Sequence, residues 1–357
     1  MCQARGATLA IFWIMTLKLP VGWVKSNKLA ALVILVLPIL FYLAFKALSG
    51  SGRTEENLTF IDTHVHILTV SSLLSEIVDK MAEYKVSKMV IMQPPVDLFR
   101  YQEPEELGIP EAHDSYPDKF LMLYQSEAIK LLHEVVKKGA YTVGEEDQFK
   151  SLAEDAAKSG KYVGFGELAL RHFPQPNLTG PQKEARDITI AGDHPWLLGL
   201  SDIAAKYNMV LDIHVEPDSN TLPGFEKLIS HNTQTKIIFD HASWYNTGQG
   251  TPSLFAGLME KYPNLYSSIK IRKPISSEQS KVAILKQDGK ISEDWLAVFE
   301  KYPDRFLIGT DVKFGLDSGE GDMEEVYSFT IEFLNALPED LREKIATKNA
   351  QKLFDIE

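Results

Sequence analysis

The sequence predicts an α/β protein: a (β/α)8 TIM barrel preceded by an N-terminal hydrophobic membrane-targeting segment. Two observations predict the barrel. Short runs rich in β-branched and apolar residues alternate with longer charged stretches of helical periodicity, and about 300 residues are available for eight such units, close to the usual size of this fold. An uncharged apolar stretch near the amino terminus predicts the membrane-targeting segment.

Composition limits the classes of protein to which the chain can belong. With 357 residues, of which 45% are hydrophobic and 24% charged, it can bury a core and is not a disordered or collagenous chain. Cys2 is its single cysteine, so neither an intramolecular disulfide nor a thiolate metal cluster can form. Any bound metal must therefore use His and carboxylate ligands.

Charge is distributed unevenly along the chain. The 37 basic and 49 acidic residues give a net charge of −12, and residues 1–53 contribute six basic groups and no acidic ones. The remainder therefore has 31 basic against 49 acidic residues, a net charge of −18. Because affinity for phosphate backbones comes largely from Lys and Arg, we expect no nucleic-acid partner.

The apolar stretch covers residues 29–45, which are 17 uncharged residues, near the lower limit for crossing a bilayer. Lys25 and Lys28 precede it, so the positive-inside rule keeps the amino terminus cytoplasmic and exports the rest. Small residues, Ala47 and Ser49, could form a signal cleavage site. A buried soluble helix is the remaining alternative.

Two regions are therefore predicted. Residues 1–53 form a cytoplasmic tail, an anchor or signal segment and a linker, with membrane contact through residues 29–48, and residues 54–357 form the barrel. We expect an extracytoplasmic barrel that is membrane-anchored or, if the segment is cleaved, secreted.

Eight apolar runs are predicted as the barrel strands. They are Phe60–His66, Lys88–Gln93, Phe120–Gln125, Tyr162–Leu168, Met209–Val215, Lys236–His241, Leu265–Ile271 and Phe306–Val312. The helices predicted between them are Ser72–Tyr84, Phe149–Ser159, Pro195–Tyr207, Leu254–Tyr262, Ser292–Tyr302 and Met323–Ala336.

Two further segments complete the predicted barrel. Residues 102–117, rich in Pro and Glu, are predicted as a long loop over its mouth, and residues 338–354 as a closing helix. A doubly wound open sheet is the competing fold. No glycine-rich dinucleotide or phosphate loop follows the first predicted strand, which disfavours that fold.

Metal-ligand residue types recur where the predicted strands end. Strand alternation places His64 and His66 on one face at the carboxyl end of the first strand, the end at which barrel active sites are built. A single His is more often an ordinary packed residue, but several ionisable groups buried together without a cation would leave unpaired charge. The predicted metal ligands are His64, His66, Glu167, His214, His241 and Asp311.

The ligand types favour particular ions. Imidazole and carboxylate together suit one or two divalent ions, most readily Zn, with Mn, Fe or Ni as alternatives.

In these segments the sequence resembles the amidohydrolase superfamily of metal-dependent hydrolases, in particular its amidohydrolase-related branch. The resemblance covers nearly the whole of residues 54–357. It rests on the motifs Ile61–His66, Gly164–Leu168, Asp212–His214, Phe239–Ala242, Gly309–Asp311 and Lys348–Phe354.

The resemblance implies roles for individual residues. His64, His66 and His214 would be metal ligands, and Asp311 a ligand that also moves the proton. His241 would bind a second metal or polarise the substrate. Many superfamily members bridge two metals with a carboxylated Lys at the end of the fourth strand. Here Glu167 stands at that end, where it would bridge two ions or support a metal-bound His.

The predicted chemistry is hydrolysis by a metal-activated water of a carbonyl ester, lactone or amide in a small molecule. A bound cation lowers the pKa of its water from about 15.7 to about 7, Asp311 serves as general base and then acid, and His241 polarises the carbonyl. Candidates for substrate contact lie just beyond the strand ends. They are Arg171, His172, Trp244, Tyr245, Lys270, Arg272 and Lys313. If several of these charges converge, an anionic substrate such as a carboxylate is favoured.

Three alternatives remain open. The first is non-oxidative decarboxylation of an aromatic or unsaturated acid, since the same branch resembles decarboxylases with nearly the same ligands; a Glu167 bridge between two ions would argue against a single-metal decarboxylase. The second is phosphodiester cleavage, which the charge of −18 disfavours. The third is a non-catalytic, membrane-tethered metal-binding barrel, against which the complete ligand set stands.

Overall fold

The structure is a computed structural model of the chain and describes residues 58–68, 74–95, 108–174, 179–242, 247–315 and 323–356. The predicted membrane-targeting segment and the boundary between residues 53 and 54 lie outside these ranges, so both stay predictions. Within the described ranges, every helix is too short or too polar to cross a membrane.

The described residues contain ten strands joined in one sheet. They are β1 Phe60–Ile67, β2 Val86–Met92, β3 Phe120–Tyr124, β4 Tyr162–His172, β5 Ile188–Thr189, β6 Val210–Val215, β7 Lys236–Ala242, β8 Leu265–Ile269, β9 Phe306–Ile308 and β10 Val312–Phe314. Their order is β10-β1-β2-β3-β4-β6-β7-β8-β9. The short β5 lies off this path and pairs antiparallel with the end of β4.

The sheet closes on itself because β1 pairs in parallel with β2 on one side and with both β9 and β10 on the other. The Thr63 hydroxyl, on β1, donates to the carbonyl of Ile308, on β9, across 245 residues of sequence. Since β9 and β10 lie end to end against β1, they act as one barrel strand. The result is a closed, parallel eight-stranded barrel, and all eight predicted strands are confirmed, with ends shifted by a few residues.

Helices surround the barrel. They are α1 Leu74–Glu83, α2 Ile109–Ser115, α3 Glu127–Lys138, α4 Val143–Lys158, α5 Gly180–Arg186, α6 Pro195–Lys206, α7 Leu222–His231, α8 Pro252–Lys261, α9 Ser277–Ser280, α10 Glu293–Lys301, α11 Met323–Ala336, α12 Glu339–Glu343 and α13 Asn349–Phe354, with a π-helical turn Lys344–Lys348 joining the last two. The predicted closing helix is confirmed as this run from α12 to α13.

Two predictions about local structure need correction. Residues 109–115, part of the predicted loop, form α2, which carries a proline in its first turn where the missing N–H is tolerated. The helix predicted to begin at Phe149 begins instead at Val143. Thr142 caps it, because the Thr142 side chain accepts from the Glu145 N–H while the Glu145 carboxylate accepts from the Thr142 N–H.

The closing helix covers the amino end of the barrel. Leu353 and Phe354 pack in one cluster with interior strand residues such as Val210 and Leu307, and burying side chains of this size contributes roughly 1.5–3 kcal/mol each. Asn349 fixes the orientation of this helix, because its Nδ2 donates to the carbonyl oxygens of Pro303 and Phe306 at 2.9 and 2.8 Å. The amino end is therefore sealed.

Candidate metal centre

Glu167 lies at the centre of a buried cluster at the carboxyl ends of β1, β4, β6 and β7. Its Oε1 is 2.8 Å from His214 Nδ1 and 3.8 Å from His241 Nε2. Its Oε2 is 3.5 Å from His64 Nε2 and 3.4 Å from His66 Nε2. Four imidazoles from three strands thus face one carboxylate that is 3% exposed.

Asp311 joins this cluster from the gap between β9 and β10. Its Oδ1 lies 3.1 Å from His66 Nε2 and 2.9 Å from Lys313 Nζ, and its Oδ2 accepts from Lys270 Nζ. One ligand atom each from His64, His241 and Asp311 lie within 4.8 Å of one another. The structure therefore brings together all six predicted metal ligands, while their role in binding an ion stays a prediction.

The backbone positions His241 and Asp311 through unusual dihedral angles. Their φ values are +57° and +55°, in the left-handed region that costs a non-glycine residue roughly 1–2 kcal/mol. Asp62 fixes the turn before Asp311 by accepting from the Thr310 N–H at 3.0 Å and its hydroxyl at 2.5 Å. Contacts of this kind hold a strained conformation in place at a functional site.

Gly309, in the same turn, allows close packing against β1 and β8. A Cβ atom at this position would lie 2.7 Å from the Cβ of Ser268 and 3.1 Å from the Cβ of His64. Only glycine therefore fits here without displacing a predicted ligand.

Two carboxylates that were not predicted from the sequence contact His64 on the side of its ring that faces away from Glu167. The Nδ1 of His64 is 3.4 Å from Asp212 Oδ1 and 3.4 Å from Asp240 Oδ1, and the Ser268 hydroxyl donates to Asp240 at 3.0 Å. A signal existed for Asp212, because it stands two residues before His214 and so shares its face of the strand. Asp240 immediately precedes His241, and strand alternation alone places it on the opposite face.

The imidazoles differ in charge because their surroundings differ. Burial lowers the pKa of His214, but Glu167 and Glu216 outweigh burial and raise this pKa to about 10. Burial lowers the pKa of His241 to about 4, so this ring is neutral at pH 7. Burial raises the pKa of Glu167, but the imidazoles that surround its carboxylate, His214 first, outweigh burial and hold this pKa well below its usual range.

The residues present fit a divalent cation. Among the described residues, His64 Nε2 and His66 Nε2 are buried without a hydrogen-bond partner, and a buried polar group left in that state costs about 1–3 kcal/mol. Their separations from Glu167, 3.5 and 3.4 Å, are long for hydrogen bonds. They match the roughly 3.4 Å between two ligand atoms that are each about 2.1 Å from a tetrahedral ion.

The hydrogen-bond partner of His66 supports the same interpretation. Its Nδ1 lies 3.2 Å from the carbonyl oxygen of Met92, which can accept the ring hydrogen. Nε2 is then the basic nitrogen that faces the cluster, the arrangement usual for a metal-bound His.

The predicted substrate-contact residues fall into separate groups. Lys270 and Lys313 both hold Asp311, and Arg272 is close enough to affect the pKa of Lys270. His172 lies beside His214, with ring centroids 5.2 Å apart.

The structure does not bring Arg171 to the cluster. The Arg171 guanidinium bonds to Asp187 and to the Ile188 carbonyl and packs 3.6 Å from the centroid of the Phe173 ring, so it fastens β5 to β4. Trp244 and Tyr245 lie outside the described residues.

Solved structures similar to this chain share its fold. A protein from Agrobacterium tumefaciens, in its apo form, has a TM-score of 0.52 at 11% identity, covering 84% of this chain and 94% of that one. The 2,6-dihydroxybenzoate decarboxylase from Rhizobium has a TM-score of 0.48 at 12% identity, covering 83% and 98%. The 5-carboxyvanillate decarboxylase from Novosphingobium aromaticivorans, complexed with manganese and 4-hydroxy-3-methoxy-5-nitrobenzoic acid, has a TM-score of 0.46 at 11% identity, covering 84% and 97%. At such identities the likeness concerns the fold alone.

Comparison of sequences, unlike the structural likeness, identifies the family. No curated protein matches the chain in sequence. The amidohydrolase family, however, matches residues 61–356, which include every strand from β2 to β10 and nearly all of β1. From this match and the barrel with its cluster at the carboxyl ends, the chain belongs to the amidohydrolase family.

Proposed function

We propose that this protein is a metal-dependent hydrolase that cleaves a carbonyl ester, lactone or amide in a small molecule that also carries an anionic group. The observation that supports it most is the group of four imidazoles around Glu167, with Asp311 beside them. These residues offer nitrogen and oxygen ligands at separations suited to a divalent ion.

The residues that would hold the ion are the six predicted ligands, His64, His66, Glu167, His214, His241 and Asp311. A divalent cation, when bound there, supplies Lewis acidity that activates water and polarises a carbonyl group. Zn is the ion that best suits the ligand set, and Mn, Fe and Ni suit it as well.

Asp311 is the residue proposed to move the proton. Burial raises its pKa, but the Lys270 and Lys313 ammonium groups outweigh burial and keep this pKa well below its usual range. Asp311 is therefore ionised at neutral pH, and its carboxylate can accept a hydrogen from an attacking water and pass it to the leaving group. The neutral His241 ring can donate its N–H to the substrate carbonyl oxygen.

The cations around Asp311 suggest the substrate class. Lys270 and Lys313 both contact Asp311, and Arg272 lies near Lys270, so basic side chains are concentrated on this side of the site. Such a concentration favours a substrate with a carboxylate or similar anion, which these side chains can bind with charge-assisted hydrogen bonds. A decarboxylase would need the same basic side chains to bind the carboxylate that it removes, which keeps that activity as the second candidate.

The test uses the full chain, stripped of metal and reloaded with Zn²⁺ or Mn²⁺. Esters, lactones and amides that carry a carboxylate are assayed in H₂¹⁸O beside aromatic acids. We expect turnover only after reloading, with ¹⁸O in the product. Release of CO₂ without ¹⁸O incorporation would instead identify the decarboxylase, and no turnover with any reloaded ion would contradict both proposals.

We also propose that residues 29–48 tether the barrel to a membrane, on the strength of their apolar sequence and the preceding lysines. After cell fractionation and carbonate washing, the full chain should remain in the membrane pellet. Recovery of the uncleaved chain in the soluble fraction would contradict the tether.

A further inference from the structure

A second group of ligand-type side chains lies next to the first, at the adjoining ends of β4 and β6. His172, His214 and Glu216 each offer one ligand atom, and these three atoms lie within 4.8 Å of one another. We propose that His172, His214 and Glu216 form a second cation site that takes a divalent ion such as Zn²⁺.

Backbone pairing makes this site rigid. Arg171 pairs with Val215 across β4 and β6, and the Glu216 N–H donates to the Arg171 carbonyl at 3.0 Å. On its other side, His172 pairs with Ile188 of β5. Ligands on paired strands hold their separations better than ligands on loops, as a preformed metal site requires.

Each imidazole has an oxygen 2.8 Å from its Nδ1: Glu167 Oε1 for His214 and the carbonyl oxygen of Arg186 for His172. The Arg186 carbonyl can accept the hydrogen on His172 Nδ1, which leaves Nε2 as the basic nitrogen of that ring. A ring that donates one N–H to an oxygen and keeps the other nitrogen for an ion is the usual state of a metal-bound His.

The second nitrogen of His214 faces Glu216. In the described part of the chain, His214 Nε2 is buried and has no hydrogen-bond partner. Its distance of 3.7 Å from Glu216 Oε1 is too long for a hydrogen bond and close to the roughly 3.4 Å expected between two ligands of one tetrahedral ion.

Glu216 is fixed in a matching orientation. It is 1% exposed, and its Oε2 accepts from the Phe173 N–H at 3.0 Å. Oε1 is the oxygen nearest to His214. Two imidazole nitrogens and one carboxylate oxygen, with a fourth position open to water, form a common zinc ligand set.

This site goes beyond the proposed function, because two of its three ligands, His172 and Glu216, are not among the residues proposed to hold the first ion. His214 connects the two groups: Nδ1 faces Glu167 in the first cluster, and Nε2 faces the second. An ion in the second site would hold the His214 ring in place beside the carboxylate of Glu167.

The experiment titrates the metal-free full chain with Zn²⁺, using calorimetry and the metal content after gel filtration. Two variants remove ligands of the second site only, His172→Gln and Glu216→Gln. One removes a ligand of the first cluster, His66→Asn. The matched control is His231→Gln, because His231 Nε2 is 3.1 Å from Asp202 Oδ2 and so forms a His–carboxylate pair without a second imidazole. Circular dichroism and thermal unfolding check the folding of each variant.

We expect folded His172→Gln and Glu216→Gln each to bind one ion fewer per chain than the wild type. His66→Asn should keep the ion of the second site, and His231→Gln should match the wild type. The proposal is overturned if either second-site variant binds as many ions as the wild type with the same affinity, or if His66→Asn binds none. Because ion count rather than turnover is measured, failure of the proposed hydrolase activity leaves this result unaffected.

Discussion

Buried polar groups at the two ends of the barrel differ in whether they have hydrogen-bond partners. At the amino end, Asn349 Nδ2 bonds to two carbonyl oxygens and the Thr235 hydroxyl bonds to the carbonyl of Ser201. At the carboxyl end, nitrogens of His64 and His66 are buried without a hydrogen-bond partner among the described residues. Asn349 Nδ2 and the Thr235 hydroxyl find their partners within the fold, whereas these imidazole nitrogens need a further group to bind them.

The largest effect should come from Glu167→Gln. The change keeps the size of the side chain but removes the charge that four imidazoles surround, so ion binding and turnover should both fall by more than about 100-fold. Zn²⁺ titration and steady-state kinetics measure the two. The control is Glu154→Gln, which removes a surface carboxylate bonded to Lys158 and Lys206. Wild-type Zn²⁺ affinity in Glu167→Gln would show that the cluster is not the metal centre.

The next effect is expected for Asp311→Asn. Because the other ligands remain, the protein should still bind its ion, but loss of the proton acceptor should lower kcat by about 10²–10⁴-fold. Metal analysis and kcat on the same sample separate the two properties. A variant that binds metal and keeps full turnover would remove Asp311 from the proposed mechanism.

A smaller effect should follow Lys270→Met, which keeps the length of the side chain but removes one positive charge from the basic residues beside Asp311. Loss of a charge-assisted hydrogen bond, about 1.5–3 kcal/mol, should raise KM for a carboxylate-bearing substrate by about 10–100-fold. Lys273→Met is the control, since Lys273 binds Glu332 away from Asp311. An equal rise in KM in both variants would contradict a specific anion site.

The anion site should also respond to pH. Burial lowers the pKa of Lys270 to about 7; Asp311 opposes this shift, and Arg272 and Lys313 add to it. The ammonium charge is therefore present below about pH 7 and lost above it. The affinity of a competitive carboxylate inhibitor should weaken as pH rises through 7 in the wild type. This dependence should be absent in Lys270→Met, and a pH-independent wild type would contradict the assignment.

The smallest effect on activity is expected at the amino end. Asn349→Ala leaves two buried carbonyl groups without their donor and should lower the free energy of unfolding by about 1–3 kcal/mol, while kcat and ion content stay unchanged. Urea unfolding of the folded, active variant measures this. A large loss of kcat without loss of stability would show that the two ends are not separate in function.

Much of the site could be predicted because strand alternation is a local property. His64 and His66 are two residues apart, and each predicted ligand follows an apolar run that ends at the barrel mouth. Lys270 could be predicted in the same way, because it directly follows the apolar run that forms β8.

Contacts that depend on non-local geometry could not be predicted in this way. The register shift between Ala169 and Arg171 changes which face of β4 His172 and Arg171 occupy, and the two-residue strand β5 that binds Arg171 carries no periodic signal. On β7, Asp240 shares the interior face with Ile238, whereas alternation places His241 on the face of Phe239, which packs against the outer helices. The left-handed backbone at His241 departs from this alternation, so its ring can join the cluster.

The bond between Thr63 and Ile308 joins segments 245 residues apart, and this has a consequence for synthesis on the ribosome. At about 5–20 residues per second, roughly 10–50 s pass between emergence of the first barrel strand and of the last. During that time the edge of β1 that pairs with β9 and β10 has no partner strand. His64 and His66 have been made, but Asp311 has not. The newly made polypeptide therefore acquires its complete set of ligands only when translation is nearly over.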